Sequence, residues 1–246
     1  MSSVFLSLGQ GRLSTYQREL VFCKYILHNS KPRRYTGHVS KRYEQYCPIA
    51  HALGLVGERW SLLIVRGLLH GPKRYTDLAA SLPGLGTNIL AARLKELESC
   101  GVLTKHRLDP PAASQVYELT PYGEELKPVM RTLALWGLRS IDPPTEEDDL
   151  APGWLYGALD TVFAPIAPPG SFEFRIGTEV AGLVDGEPRR GSIEDPDVVV
   201  EGEVDSFYWL FVERRWDAVK VEGDRELLER LFDAAAAPLP GNSVLV

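Results

Sequence analysis

The chain has 246 residues, 44% of them hydrophobic and 24% charged, with three cysteines. That composition excludes a disordered chain, a collagen-like repeat and a disulfide-dense mini-protein, and the length allows two domains with separate cores. The net charge of −6 argues against a nucleic-acid partner only until it is divided. Residues 1–140 carry 19 Lys/Arg against 10 Asp/Glu, or +9, and residues 141–246 carry 8 against 23, or −15. Opposite signs point to two modules with different partners, and only the first suits phosphate. Cys23, Cys47 and Cys100 cannot all pair within one chain and match no metal-ligand spacing. No apolar run reaches the roughly 18 residues of a membrane span, and Arg12 and Arg18 follow a mildly apolar Met1–Leu8 that does not look like a secretory signal. The expectation is a cytoplasmic protein with reduced thiols, no cofactor, no metal and no membrane partner.

In chain order, Tyr16–Leu27 could form a short helix, and His28–Val39 has no periodicity and a basic excess. Ile49, Leu53 and Val56 make an apolar stripe. Trp60, Leu63, Ile64, Leu68 and Leu69 make a second, closed by Gly71-Pro72. Tyr75, Leu78, Ala79 and Leu82 give a third short helix, ended by Pro83-Gly84. Ile89, Leu90, Leu94 and Leu97 give a fourth apolar face, with Gly101 past its end. Thr104–Leu108 and Gln115–Leu119 are strand-like, with Asp109-Pro-Pro-Ala-Ala-Ser114 as a hairpin tip. Thr120 as N-cap and Pro121 as first residue open a helix expected to reach Ser140. In Ile141–Leu150 two prolines and four consecutive acids mark a linker.

Three helices, a tight turn, a helix, a hairpin and a final helix follow the order of a winged helix-turn-helix, in which the helix after the turn enters the major groove and the hairpin lies along the backbone. The reading helix is then Thr87–Ser99, with Thr87, Asn88, Ala91, Ala92, Arg93 and Lys95 expected on its exposed face. Asn and Arg can make paired contacts to adenine and guanine edges, and Lys supplies charge to phosphate. Lys73 and Arg74 precede the previous helix, and the wing carries Lys105, His106 and Arg107. Each cation alone could serve only to solvate a helix; three clusters around one reading head point to DNA.

Cys47-Pro48-Ile49, Val56-Gly57-Glu58-Arg59-Trp60 and Leu63-Ile64 resemble the start of the HxlR-type winged-helix regulators. Arg74-Tyr75-Thr76-Asp77-Leu78 is similar to their Arg-Phe-x-Glu-Leu segment. Leu90-x-x-Arg93-Leu94-x-x-Leu97-Glu98-x-x-Gly101 resembles the recognition helix, and Tyr117-x-Leu119-Thr120-x-x-Gly123 the wing exit. The resemblance spans about residues 46–140 and implies a bacterial, dimeric transcription factor on double-stranded operator DNA. Arg59 departs from the usual Lys, and Gly86 from the usual Ser cap, though Thr87 could shift the cap by one residue. Some members of that family respond to oxidants through a cysteine near the position of Cys47; members without redox function carry it too, and the structural role of a small buried hydrophobe is favoured.

Beyond the linker the pattern changes. Trp154–Phe163 reads as an apolar helix; Ser171–Ile176, Val180–Val184, parts of Arg189–Ile193, Asp197–Glu201 and Ala218–Val221 read as strands. Asp185-Gly186 is a hairpin turn, Asp205 a candidate cap for a helix through Phe207, Leu210 and Phe211, and Asp224 the cap of a last helix. This is α+β, with helices on one face of a mostly antiparallel sheet. The run from Asp197 through Val219-Lys-Val-Glu-Gly-Asp224 to Leu228, Leu231 and Phe232 resembles the end of sterol carrier protein domains, which implies an apolar cavity for a small hydrophobic or acyl ligand. Trp154, Phe163, Phe172, Phe174, Phe207, Trp209 and Phe211 would wall such a pocket, though any small core needs such residues and core is the favoured reading for each one alone.

The fold expected is therefore a mainly α winged helix-turn-helix domain plus an α+β sterol carrier protein-like domain. Residues 39–140 form the DNA-binding and dimerisation domain, 141–150 the linker, 151–240 the ligand-binding domain and 241–246 a tail. Residues 1–38 form an extension; Val39-Ser40-Lys41-Arg42 suits a GTG start, which would make that extension an over-long gene model. Catalytic motifs of hydrolases, metalloproteases and phosphate loops are not found, and residues 151–246 hold no histidine, so a regulator is favoured over an enzyme. The function expected is a homodimeric regulator whose DNA binding responds to a hydrophobic ligand. The alternatives are constitutive DNA binding with a C-terminal domain that carries lipid or recruits a protein, and a thiol sensor acting through Cys47.

Overall fold

A computed structural model of the chain describes residues 43–236 apart from Ala112, Glu146, Asp149 and Pro165. The expected helix at Tyr16–Leu27, the extension 1–38 and the tail 241–246 lie outside the described residues. Pro48 opens α1 (Pro48–Val56), where a missing N–H leaves no bond unmade. α2 (Ser61–Leu68) buries Ile64, Val65 and Leu68. α3 (Tyr75–Ala80) buries Leu78, and its first turn is closed by Arg74 N–H donating to Asp77 Oδ2 at 3.2 Å. α4 (Thr87–Ser99) buries Leu90, Leu94 and Leu97, one face of a helix by spacing, and Gly101 follows with a φ of +72° that only glycine adopts without strain. Ile89, expected on that buried face, is 47% exposed, because one turn of α4 brings Leu90 rather than its neighbour inward.

β1 (Leu103–Arg107) and β2 (Gln115–Leu119) pair antiparallel, and Lys73 adds a one-residue third rung by exchanging backbone hydrogen bonds of 2.9 and 2.8 Å with Tyr117. The long helix expected from Pro121 is broken into α5 (Pro121–Glu124) and α6 (Lys127–Gly137), ending in a 3-10 turn at Leu138–Ser140. Pro128 is the reason: it has no N–H to offer the Glu124 carbonyl, so the ladder cannot run through. Thr120 caps α5 by accepting from Gly123 N–H at 3.1 Å, and its own hydroxyl donates to Gly101 O at 2.6 Å.

The second half holds α7 (Trp154–Val162), β3 (Ser171–Ile176), β4 (Glu179–Val184), β5 (Glu187–Arg190), β6 (Val198–Gly202), α8 (Val204–Phe211), a 3-10 turn at Trp216–Ala218, β7 (Lys220–Gly223) and α9 (Arg225–Ala236). The sheet order is β5-β4-β3-β6-β7; β3 and β6 run parallel and the other pairs antiparallel. Alternate residues Phe172, Phe174 and Ile176, with Ala181, Leu183, Val198 and Val200, bury one sheet face under Leu155 and Leu159 of α7 and Leu227, Leu228, Leu231 and Phe232 of α9. On the opposite face the Glu173 carboxylate is fully buried, accepting from Arg175 Nε at 2.6 Å and from Ile193 N–H, so the loop after β5 folds over the sheet.

Three expectations shift. α8 begins after Glu203 rather than Asp205, which sits in the first turn; Glu203 N–H donates to Ser206 Oγ at 3.2 Å. β5 stops at Arg190, and the last strand starts at Lys220 instead of Ala218. Asp224 does cap α9, accepting from Leu227 N–H at 2.9 Å.

Candidate nucleic-acid interface

The reading helix is held from behind. Its three leucines anchor it to α2 and α3, and Tyr75 OH donates to Thr87 O at 2.7 Å, fixing its first turn against α3. Gly86 is the N-cap, and Ile89 and Leu90 N–H both donate to its carbonyl at 3.0 Å; Thr87 does not take over the cap. Thr87, Asn88, Ala91, Ala92 and Lys95 are exposed. Side chains of Asn88 and Lys95 are thus free to reach base edges and phosphate, and the small Ala91 and Ala92 permit close approach.

Arg93 is different. It is 16% exposed, lies 3.6 Å from Glu58 Oε2, and pairs with Glu96 one turn further along α4. Both acids compete for the guanidinium, so the residue expected to read bases also ties the α1–α2 connection to the recognition helix. Its i,i+3 spacing to Glu96 was visible in the sequence; the approach of Glu58 was not.

The flanking cations are distributed unevenly. Arg74 is exposed at the start of α3, and Lys105 and Arg107 are exposed on the wing. Lys105 Nζ sits 5.5 Å over the Tyr117 ring, while Arg107 Nε donates to Ala113 O at 3.0 Å, bracing the hairpin tip. Lys73 is half-buried, and burial, with Arg190 and Arg66 nearby, holds its ammonium below the usual lysine range against a weaker pull upward from Asp77.

A joint between the two halves was not expected from the sequence. Asp160 on α7 is buried and accepts from Lys127 Nζ of α6, 3.1 Å from Oδ1 and 3.0 Å from Oδ2; His70 Nδ1, just past α2, lies 3.5 Å away. Arg131 Nη2 donates to Val162 O at 3.2 Å. The His70 and Tyr156 rings meet edge-on at 5.0 Å, and the Arg190 guanidinium lies 4.0 Å over the same tyrosine ring. Winged helix and C-terminal layer accordingly form one compact unit. An acid at the end of an otherwise apolar helix, Trp154–Val162, was the one sequence signal for this contact.

The aromatics split into two groups. Phe163, Phe172 and Phe174, expected as pocket walls, are fully buried core, with Phe163 against Phe211 at 4.7 Å and Phe232 at 5.2 Å. Alternation along β3 points both of its phenylalanines under the helices, the core role the sequence had also allowed. Trp154, Phe207, Trp209 and Phe211 are half-buried, with Trp154 edge-on to Phe207 at 5.2 Å and Phe207 stacked on Phe211 at 3.7 Å. Cys47 is half-buried immediately before α1, and Cys100 is sealed in the core, where burial pushes its thiol up. Among the described residues no group of three His, Cys, Asp or Glu could hold a metal, and no helix is long and apolar enough to cross a membrane.

A family model described as HxlR-like helix-turn-helix matches residues 55–145, from the end of α1 through α6. The uncharacterized HTH-type transcriptional regulator YvaP of Bacillus subtilis is 35% identical over 100 residues, which is 40% of this chain and 93% of that protein. The uncharacterized HTH-type transcriptional regulator sll1512 of Synechocystis is 31% identical over 125 residues, 51% of this chain and 87% of its own length. Among solved structures, the reduced form of the transcriptional regulator YodB from B. subtilis is 31% identical and covers 41% of this chain and 100% of that one, with a TM-score of 0.36. Because the family model matches this segment and YvaP is matched at 35% identity over 93% of its length, the chain belongs to the HxlR-like helix-turn-helix family.

Proposed function

We propose that the protein is a homodimeric transcriptional regulator that reads double-stranded DNA with α4. The observation that carries this reading is the exposed face of Thr87, Asn88, Ala92 and Lys95, flanked by Arg74 on one side and by Lys105 and Arg107 of the wing on the other. Dimerisation is supported by a stripe of exposed apolar residues, Val129, Leu133 and Trp136 on α6 with Ile49 and Leu53 on α1. Large apolar side chains exposed at helical spacing suit a two-fold contact that places two reading helices on a palindrome. Selection of bound sequences from a random duplex pool tests the reading: Asn88→Ala should relax the preference at one base pair in each half-site. A pool that emerges unenriched with the wild-type protein removes it.

The C-terminal layer is the regulatory half in this reading, because Lys127 and Arg131 attach it to α6, the helix with the apolar stripe. A small hydrophobic or acyl ligand entering beside the half-buried Trp154, Phe207, Trp209 and Phe211 would act by favouring one seating of α7 on α6, since an effector works through its different affinity for two states. Titration of tryptophan fluorescence with a medium-chain fatty acid, in parallel with DNA release, tests this. Thiol sensing is a second reading that rests on the half-exposed Cys47 beside α1; diamide treatment that leaves DNA binding unchanged and cross-links no dimer removes it.

A further inference from the structure

The acidic half of the chain does not present only acid. Of its cations, Arg175 is held by Glu173 and Glu201, Lys220 by Glu201 and Glu222, Arg215 by Asp217 and Arg225 by Glu229. Arg190, on the edge strand β5, has a different neighbourhood. Its guanidinium lies 4.0 Å over Tyr156; that ring meets His70 at 5.0 Å; and Gly71-Pro72 lead from His70 to Lys73. Lys73 is in turn bonded through its backbone to Tyr117, over which Lys105 of the wing sits at 5.5 Å. Arg190, Lys73 and Lys105 thus follow one another across the junction of the two halves, with Arg74 beside Lys73.

Among the described residues, three carboxylates along this arc are held by other groups. Asp160 is buried under Lys127 and His70, Asp77 accepts from Arg74 N–H, and Glu179 accepts from Gly153 and Leu155 N–H at the start of α7. Like charges repel, and Arg190 bears on both Lys73 and His70, outweighing the pull of Asp77 at Lys73. An arriving oxyanion relieves that repulsion.

We propose that Arg190 and Lys73 together take a backbone phosphate of bound DNA, so that the C-terminal layer is part of the DNA footprint. The inference rests on the DNA-binding reading above and extends it to a residue outside the family-matched segment. Register explains why only one of the two adjacent arginines serves. Arg190 stands opposite Ala181, on the side of the sheet covered by α7, whereas Arg189 stands opposite Gly182 on the other side.

Fluorescence anisotropy of a mixed-sequence duplex, followed through a salt series, tests this. Losing one phosphate contact lowers the salt slope by about one, so the advantage of wild type over Arg190→Gln should shrink about 3.5-fold for each fourfold rise in salt. Arg190→Lys restores the slope by returning the charge, and Arg189→Gln, on the opposite side, keeps it. Lys105→Gln separates this inference from the reading beneath it. If Lys105→Gln lowers the slope and Arg190→Gln does not, the junction lies off the DNA and the proposal falls alone. If wild type shows no affinity for the duplex at any salt, both fall. A slope lowered equally by Arg189→Gln overturns the local assignment in favour of general domain charge. Inorganic phosphate that raises the melting temperature of wild type but not of Arg190→Gln, with DNA slopes unchanged, assigns the junction to a free oxyanion and also overturns it.

Discussion

Arg93 and Asn88 lie five residues apart on one helix and have opposite fates. Asn88 is exposed with its amide unengaged by the protein interior, whereas two acids hold Arg93. Asn88→Ala should therefore cost about 1–3 kcal/mol of discrimination at one base pair and little stability. Arg93→Ala should cost about 0.5–1.5 kcal/mol of stability, read from urea unfolding, with the selected sequence unchanged. His70 makes a pH-dependent contribution. Burial above all keeps its imidazole below the ordinary value, Asp160 opposes that, and Arg190, Lys127 and Lys73 reinforce it. Below the unfolded value of about 6.5 the unfolded chain takes a proton that the folded one refuses. Stability is thus complete above that pH and is lost as pH falls toward the folded value. The melting temperature of His70→Gln should accordingly vary less than that of wild type between about pH 5 and 7. Cys47 should be alkylated by iodoacetamide before Cys100, whose thiol is sealed and pushed up by burial; peptide mapping over a time course reads the order.

Helix ends and turns were the most legible features, because caps and breakers act over a few residues. Thr120, Pro121, Gly101 and Asp224 all do what their chemistry dictates. Loss of the Thr120 side chain should destabilise by about 1 kcal/mol, with Thr120→Ser retaining the cap. Pro128 was equally visible, yet the apolar periodicity across it suggested one helix; the missing N–H prevails over the pattern. Close backbone approaches were not legible. A Cβ on Gly123 would stand 2.1 Å from Val102 O, and one on Gly182 would stand 2.1 Å from Phe172 O. Gly182→Ala should therefore lower the soluble yield or unfold the C-terminal layer, seen as lost near-ultraviolet dichroism from its tryptophans, because the atom it meets is backbone and cannot swing aside.

The two halves behave as one body because a few polar groups join apolar helices. Asp160→Asn leaves Lys127 without its counter-charge and should cost about 1–3 kcal/mol; limited proteolysis near residues 141–150 should become faster. Trp136, 66% exposed on α6, belongs to the proposed two-fold contact. Trp136→Glu should shift sedimentation from dimer to monomer and weaken operator binding, since one reading head lacks the second half-site.

Period and punctuation along the chain were enough to determine a winged helix followed by an α+β layer, because amphipathic spacing, caps and turn residues depend on near neighbours. Charge division was likewise a property of the sequence, which sets a basic half, residues 1–140, before an acidic one. Tertiary packing decided what depends on partners distant in the chain. It set Arg93 against Glu58, buried Phe163, Phe172 and Phe174 in the core, and set Asp160 against Lys127 and His70. It also carried Arg190 of the acidic half to the edge of the basic one, since where a side chain ends up depends on the surfaces that its whole element buries.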